Sequence, residues 1–468
     1  MLDNINLRVE VDSKEKSDLE AGQSDLPPLH VLSIKQISLL AINLAAYFIG
    51  RPVRNYKVCG EFVELITGFY NVVIRGKTTA IVDAKSKARG FWRRRLQQHA
   101  DIARLNYEAK HRVVGGGNSN AENYASNSTV SRARAKAAET EKFLSGKVVV
   151  NIVTGQKISM YDLANKAAEN RFNELYWISK NFEAIAEERG MGWLFVTYTA
   201  PPEYHPNPLK GKCSYNPDLG VKASHLYIAS GWSRVRALLS ERGIKTGIDS
   251  YFGIRIAETH KDGAVHWHML VFILPDVMEC FVSASEEQFA TYGQMKVVRG
   301  DPAIGRASSY IFKYLAKGFD SAVIGEEVGQ DVILEDEMRE SSDLASVRNG
   351  ERVRAALQAM RIRQYQVFGV KKVLSLIRAI NKIKKEELQA LHGALGRVVE
   401  KHIWRNETGL KFLLQNLDLI TKVDGDAPLM VIKEKSLNVF GEEVCRPVGL
   451  RIGEEVIRTK GRYQVEKA

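Results

Sequence analysis

The centre of the chain contains short apolar runs in which side chains alternate between two faces, as they do in β-strands. The runs lie at residues 193–199, 251–260 and 266–274. Pro201-Pro202 ends the first run, and Asp262-Gly263 turns the chain between the second and the third. Apolar runs bounded by such residues predict three strands, two of them joined as a hairpin.

Apolar positions at helical spacing dominate the flanking segments. They predict helices over residues 32–70, 85–112, 129–144, 159–188, 227–242 and within 346–417. Ser159 and Asp162 have the spacing of a capping box at the start of one of them. The last forty-odd residues alternate short apolar runs with Gly and Pro, which indicates small strands. The sequence therefore predicts an α+β fold, with an antiparallel sheet flanked by helical N- and C-terminal regions.

These composition shifts predict six segments. We expect a disordered acidic and polar tail (1–30), a helical basic accessory or DNA-binding region (31–190), a sheet-containing domain (191–325), an acidic linker (326–345), a helical region (346–420) and a small β-rich segment (421–468).

Charge points to a polyanionic partner. The chain has 67 Lys and Arg against 55 Asp and Glu, a net charge of +12. Residues 85–112 contain nine basic and two acidic residues with interleaved aromatics. Arg93, Arg94 and Arg95 are the candidate phosphate contacts, and a solvated basic helix is an equal alternative.

Other classes are disfavoured. The four cysteines are scattered, which suggests free thiols in a reducing cytoplasm, and we expect a bacterial cytoplasmic location. The longest apolar run, residues 37–49, is too short to span a bilayer, so no membrane partner is expected. The sequence has no phosphate-binding loop of the G-x-x-x-x-G-K-[ST] type, so we expect no ATP site.

Two histidines on the third predicted strand are candidate metal ligands. His266 and His268 are two residues apart, so their side chains share one face. Glu258 on the preceding strand lies opposite His266 if residues 261–263 form a three-residue loop with Gly263 in the left-handed region. A two-residue turn would place Glu258 on the other face. His260 shares the Glu258 face and is a reserve ligand or a supporting group.

A second candidate element lies about forty residues later. Tyr310 and Tyr314 are spaced i and i+4 in a segment of helical composition, so both phenols lie on one face. Lys313 and Lys317 each follow a tyrosine by three residues, and an ammonium beside a phenol favours the phenolate. The alternative is an amphipathic helix that buries both tyrosines.

Several motifs occur together in one order. They are F-V-T-Y-T-A-P at 195–201 with Tyr204-His205, R-I-A-E-T-H-K-D-G-A-V-H-W-H at 255–268, Tyr310-x-x-x-Tyr314-x-x-Lys317, and R-I-R-Q-Y-Q-x-x-G at 361–369, with F-W-R-R-R-L at 91–96 and Tyr-Ala-Ser at 124–126 upstream. This order resembles the H-hydrophobic-H replication initiators and relaxases, specifically the bacteriophage replication gene A protein family. The resemblance covers roughly residues 85–375. Val265 departs from it, since the family usually has Pro before the first His.

The resemblance implies an HUH-type endonuclease domain. His266, His268 and Glu258 would bind Mg²⁺ or Mn²⁺, Tyr310 and Tyr314 would be alternating nucleophiles, and Lys317 would be the motif lysine, with Lys313 an additional candidate. The implied fold is an antiparallel sheet with the His pair on a central strand, helices behind it and the tyrosine helix across the metal face.

The function expected from the resemblance is site- and strand-specific DNA cleavage that initiates rolling-circle replication of a phage or prophage. The expected partners are single-stranded or extruded origin DNA, a host helicase and a DNA polymerase. A mobilisation relaxase or a transposase is the alternative within the superfamily. Outside it, a non-haem iron oxygenase also uses two His and a carboxylate, and a DNA-binding repressor would bind without cleaving.

Overall fold

The computed structural model describes residues 27–49, 70, 72–116, 122–300, 306–307, 349–370, 373–422, 426–459 and 463–468. The chain divides into two compact units, residues 1–111 with 435–446 and residues 112–434 with 447–468. The domain boundaries predicted from composition remain a prediction.

The first unit contains three described α-helices. They are α1 (Ile34–Phe48), α2 (Thr79–Ser86) and α3 (Arg89–Lys110). Trp92 anchors this unit, because its ring stacks on Phe48 at 5.8 Å and its Nε1 donates to the Ser86 carbonyl at 2.6 Å. The sequence predicted one helix over 85–112, whereas the structure ends α2 at Ser86 and starts α3 at Arg89.

The second unit contains the remaining elements. Its helices are α4 (Asn127–Ser145), α5 (Met160–Glu188), α6 (Ala223–Glu241), α7 (Pro275–Phe289), α8 (Gly350–Met360), α9 (Val373–Ile380), α10 (Lys385–Gln389), α11 (Ala394–His402) and α12 (Gly409–Gln415). Its strands are β1 (Lys147–Asn151), β2 (Lys157–Ser159), β3 (Gly192–Tyr198), β4 (Tyr251–Thr259), β5 (Val265–Ile273), β6 (Met295–Arg299), β7 (Tyr365–Phe368), β10 (Glu455–Arg458) and β11 (Tyr463–Lys467), and β8 (Leu429–Leu437) and β9 (Glu443–Ile452) extend into residues 435–446.

A five-stranded antiparallel sheet lies at the centre of the described second unit. The strand order is β6-β3-β5-β4-β7, so β5 has a long partner on each side. Two smaller three-stranded sheets have the orders β11-β1-β2 and β10-β9-β8. Mixed helix and antiparallel sheet confirms the predicted α+β class.

Both faces of the central sheet are covered, so every residue of β4 and β5 is buried. On one face, Phe252 and Phe272 pack against Phe182 of α5, in a core that continues into α9, α11 and α12. On the other face, α6 and α7 cover the sheet, and Phe289 stacks on Tyr198 of β3 at 4.2 Å. Core side chains therefore occupy both faces of the sheet. Glu258, His266 and His268 lie at one end of the face that carries Phe252 and Phe272.

One helical prediction is corrected. The sequence predicted helical structure within 346–417, but residues 365–368 form strand β7, which pairs with β4 and extends the sheet. Arg361 adopts φ 54° and ends α8, and Gly369 adopts φ 83° after the strand. A residue with left-handed backbone conformation thus lies on each side of this short strand. The periodicity of apolar residues did not distinguish the strand from the helices around it.

Candidate metal centre and cleft

The β4–β5 hairpin brings the metal-ligand candidates together through a three-residue loop. The His260 N–H donates to the Ala264 carbonyl at 2.6 Å, and Gly263 has φ 87°. The Asp262 carboxylate accepts from the Ala264 N–H at 3.1 Å and stabilises the turn. Glu258 therefore pairs with His266 across the hairpin, as the three-residue alternative predicted.

Glu258, His266 and His268 form a compact buried cluster. The Glu258 Oε2 lies 3.5 Å from His268 Nε2 and 3.9 Å from His266 Nε2, and one ligand atom from each residue lies within 4.8 Å of the others. Two imidazole nitrogens and one carboxylate oxygen are ligands suited to a divalent ion, and three protein ligands leave coordination positions for substrate.

The hydrogen bonding of this cluster fits a metal ion. Both ring nitrogens of His266, and Nε2 of His260, are buried without a hydrogen-bond partner among the described residues. Buried polar atoms are normally paired, and these nitrogens are positioned to bind a metal ion. The cluster therefore has the donor set and the unsatisfied nitrogen that a bound cation requires.

His268 is oriented by β3, on the side of its ring away from Glu258. Thr197 Oγ1 lies 3.0 Å from His268 Nδ1, and the Phe195 ring stacks on the imidazole at 5.5 Å. Partners of this kind fix the tautomer and orientation of a metal-binding histidine. Thr197 belongs to the 195–201 motif, but the sequence alone did not indicate this contact, because it depends on the pairing of β3 with β5.

A row of imidazoles extends from the cluster towards the hairpin loop. His260 contacts His266 at 4.1 Å and His205 at 5.2 Å between ring centroids, and His205 Nδ1 lies 2.9 Å from the buried Asp262 carboxylate. Burial, together with the neighbouring imidazoles, lowers the pKa of His260 well below its ordinary value. His260 is therefore neutral at physiological pH, consistent with the predicted role of a supporting group.

The cluster lines an open cleft of about 700 Å³. The other lining residues are Tyr124, Thr199, Ala200, Pro202, His205, Pro208, Leu209, Lys210, Gly211, Lys212, Thr259, His260, Lys261 and Asp262. Lys210 and Lys212 are exposed, so the lining combines lysine side chains with a carboxylate and imidazoles. This arrangement suits an anionic substrate that reaches a metal ion.

The other predicted site residues lie elsewhere. Tyr310, Lys313, Tyr314 and Lys317 are outside the described residues. Arg93, Arg94 and Arg95 are exposed on α3 of the first unit, between the buried Trp92 and Leu96.

Arg255 shares a motif with the cluster but lies on the opposite face of the sheet. Its guanidinium stacks on the Trp267 ring at 4.2 Å, and its Nη2 donates to the Gln366 side chain of β7 at 2.8 Å. Burial lowers the pKa of Arg255 to about 10, with a further contribution from Arg363. These contacts give Arg255 a role in packing β7 against the hairpin and place it outside the cleft.

A profile of the bacteriophage replication gene A protein family matches residues 84–322, just over half of the chain. The chain belongs to this family. The matched range includes α3, the β4–β5 hairpin with its ligand cluster, and the segment with Tyr310 and Tyr314.

Individual relatives agree with this membership. The chain is 27% identical over 393 residues to a replication protein of Haemophilus phage HP1, a match that covers 80% of the chain and 47% of the relative. It is 30% identical over 254 residues to the replication gene A protein of Escherichia phage 186, covering 51% and 35%. It is 28% identical over 296 residues to a probable replication endonuclease from a prophage-like region of Salmonella paratyphi A, covering 60% and 34%.

The matches thus span half or less of the length of these three relatives. No solved structure matches the chain significantly. Within the described ranges, no helix combines the length and apolar character needed to cross a bilayer.

Proposed function

We propose that this chain is a site- and strand-specific DNA endonuclease that initiates rolling-circle replication of a phage or prophage. The observation that carries the proposal is the buried Glu258–His266–His268 cluster, with its unpaired His266 nitrogens, on the wall of an open cleft in a chain of this family. The Salmonella relative, named a probable replication endonuclease, supports the reaction class.

In this proposal the cluster holds Mg²⁺ or Mn²⁺. When bound, the ion supplies electrostatic stabilisation of the charge that develops on the phosphoryl oxygens. The protein contributes the positioning: Thr197 and Phe195 fix the His268 ring, and the hairpin register fixes Glu258 beside both imidazoles. Lys210 and Lys212 place positive charge along the cleft, where the backbone phosphates of a single strand would lie.

The proposed nucleophiles are Tyr310 and Tyr314, assigned from spacing and family resemblance. The phenol oxygen attacks phosphorus and forms a phosphotyrosine bond to the 5′ side, while the bond from phosphorus to the 3′ oxygen breaks. The phenol proton is transferred away, and the leaving oxygen becomes a free 3′-OH that a host polymerase extends. Lys313 and Lys317 are proposed to favour the phenolate. The absence of a phosphate-binding loop in the sequence makes a host helicase the proposed source of strand separation.

The test is covalent capture. The full chain is incubated with labelled single-stranded fragments of its own replicon and Mn²⁺, and products are separated in SDS. We expect an SDS-stable adduct on one strand and at one site, which sequencing of the fragment locates. Binding without an adduct would support the repressor alternative, and no binding would support an unrelated metal-dependent activity such as iron-dependent oxygenation. A cleavage site outside the replication origin would favour the relaxase or transposase alternative.

A further inference from the structure

Tyr124 has an unusual backbone conformation beside the cleft. Its φ is 68°, in the left-handed region that residues with a Cβ atom disfavour. The surrounding chain holds it there: its N–H donates to the Lys261 carbonyl at 2.9 Å, and the Glu122 carbonyl just before it accepts from Gly115 at 2.8 Å. Two residues later, Ser126 caps α4. Strained conformations persist where neighbours enforce them, and they cluster at ligand-binding positions.

This conformation places the Tyr124 side chain on the cleft wall with Glu258 and His266. The side chain is partly buried. Burial, and then the Glu258 carboxylate, raise the pKa of the phenol above its ordinary value, so the ring is neutral at physiological pH. A neutral aromatic ring therefore lines the cleft beside Glu258 and His266.

The remaining lining of the cleft complements that ring. Pro208 and Leu209 are apolar, and 53% of Leu209 is exposed although it is a large hydrophobic residue. Lys210 and Lys212 follow directly and are exposed. An aromatic ring and apolar side chains beside lysines are the features with which proteins bind single-stranded nucleic acid, since bases stack on the ring and phosphates contact the cations.

The geometry points to a nucleobase subsite in the cleft, in which the Tyr124 ring stacks on a base next to the phosphate held at the Glu258–His266–His268 cluster. Lys210 and Lys212 contact the neighbouring phosphates. The inference rests on the proposed function, because it takes single-stranded DNA as the substrate. Tyr124 is in this assignment a binding residue that positions the strand, and it takes no part in bond breaking.

The test measures binding without cleavage. Fluorescence anisotropy in EDTA compares an oligo-dT strand of about 20 nucleotides with a strand of equal length in which every base is replaced by an abasic site. The wild-type chain should prefer the oligo-dT strand. Tyr124→Leu should weaken oligo-dT binding about tenfold, the effect of losing one stacked base, and leave binding of the abasic strand unchanged. Tyr124→Phe should bind as the wild type does, because stacking needs the ring and not the hydroxyl.

Two further variants separate binding from folding. Tyr124→Asn introduces a residue that tolerates the left-handed region, so its melting temperature should be at least that of the wild type while its preference for oligo-dT is lost. Tyr463→Leu removes an exposed tyrosine outside the cleft and should change the affinity for neither strand.

The base subsite would be overturned if Tyr124→Leu bound oligo-dT as tightly as the wild type does. It would also be overturned if the variant lost affinity equally for oligo-dT and for the abasic strand. Because no cleavage is measured, these outcomes are independent of covalent capture. If an adduct forms but the chain does not prefer oligo-dT, only the base subsite is contradicted. If the chain prefers oligo-dT but no adduct forms, only the proposed reaction is contradicted.

Discussion

Individual side chains around His268 show how the cluster is held in one arrangement. Thr197 and Phe195 contact the imidazole on the side away from Glu258, which directs Nε2 towards the carboxylate. His266 has no such partner among the described residues and leaves both ring nitrogens unsatisfied. His268 is therefore oriented before an ion binds, which reduces the ordering cost of binding.

The first prediction concerns these ligands. His266→Ala and His268→Ala should each abolish nicking while the chain remains folded and bound to DNA, because each removes one metal ligand and no DNA contact. Glu258→Ala should also be severe. Activity is measured as adduct formation with Mn²⁺, and folding by circular dichroism. His392→Ala is the matched control, since this histidine is exposed and does not line the cleft. Full activity in the His266→Ala, His268→Ala double variant would end the metal hypothesis.

The second prediction concerns His225 on the other face of the sheet. Trp267 Nε1 donates to His225 Nδ1 at 3.1 Å, so that nitrogen must be unprotonated. Burial lowers the pKa of His225 to about 4 from 6.5, with smaller contributions from Arg255 and Lys222. Between these two values the unfolded chain binds a proton that the folded chain does not. The free energy of unfolding should therefore fall as the pH decreases from about 6.5 to about 4.

His225→Gln isolates this contribution, because the amide oxygen still accepts from Trp267 and does not titrate. The free energy of unfolding is measured in urea at several pH values. Between pH 6.5 and pH 4 it should fall by about 2 kcal/mol less in the variant than in the wild type. The same pH dependence in both proteins would assign the acid sensitivity to other groups.

At the scale of elements, α3 combines buried apolar side chains with exposed arginines. Trp92 and Leu96 are fully buried in the first unit, whereas Arg93, Arg94 and Arg95 between them are exposed. None of the three arginines takes part in an ion pair within the described residues. The guanidinium of Arg95 lies 5.6 Å from the centre of the Phe91 ring, and its Nη1 donates to Gln98 at 3.3 Å. The three side chains are therefore accessible to phosphates without loss of a salt bridge.

The third prediction follows from this exposure. Replacing Arg93, Arg94 and Arg95 with Gln should weaken DNA binding to a similar degree on all sequences, because phosphate contacts do not read bases. The slope of log affinity against log salt should flatten by roughly one unit per lost contact. The matched control replaces the exposed Lys382, Lys384 and Lys385 with Gln, which removes the same charge. Equal slopes for the wild type and the arginine variant would mean that α3 is a solvated helix.

At the scale of the whole molecule, rolling-circle replication requires two cleavages. The first tyrosine still carries the 5′ end when a full strand has been displaced, so a second phenol must cut the regenerated origin. The freed 3′-OH then attacks the first phosphotyrosine and releases a closed circle. Each step exchanges one phosphodiester for another, so joining needs no ATP. In the proposed reaction Tyr310 and Tyr314, spaced i and i+4 in the sequence, supply these two phenols.

The fourth prediction tests both phenols. Tyr310→Phe and Tyr314→Phe should each retain some nicking of an oligonucleotide and fail to terminate repeated rounds, and the double variant should form no adduct. Mass spectrometry of the DNA-linked peptide identifies the attacking residue. The two-nucleophile mechanism would be contradicted if the adduct formed on only one tyrosine and disappeared, without moving to the other, when that tyrosine was changed. An adduct elsewhere in the chain would also contradict it.

The sequence by itself determined the local features of the ligand cluster. Strand alternation places His266 and His268 on one face. The sequence left two turns open between the strands, and the structure has the three-residue loop with Gly263 that brings Glu258 opposite His266. These features depend on residues close together in the chain, where side-chain periodicity and turn conformation act directly. The family motifs from residue 91 to Lys317 lie within the match over residues 84–322, whereas the motif at 361–369 lies beyond it.

Only the tertiary structure decided what surrounds that cluster. It paired β3 with β5, which brought Thr197 to His268, and it added β7 to the edge of β4. It also placed Tyr124, more than a hundred residues before the ligands, on the wall of the same cleft. Long-range strand pairing and loop packing depend on how apolar faces from distant segments fit together, and local periodicity does not specify these contacts.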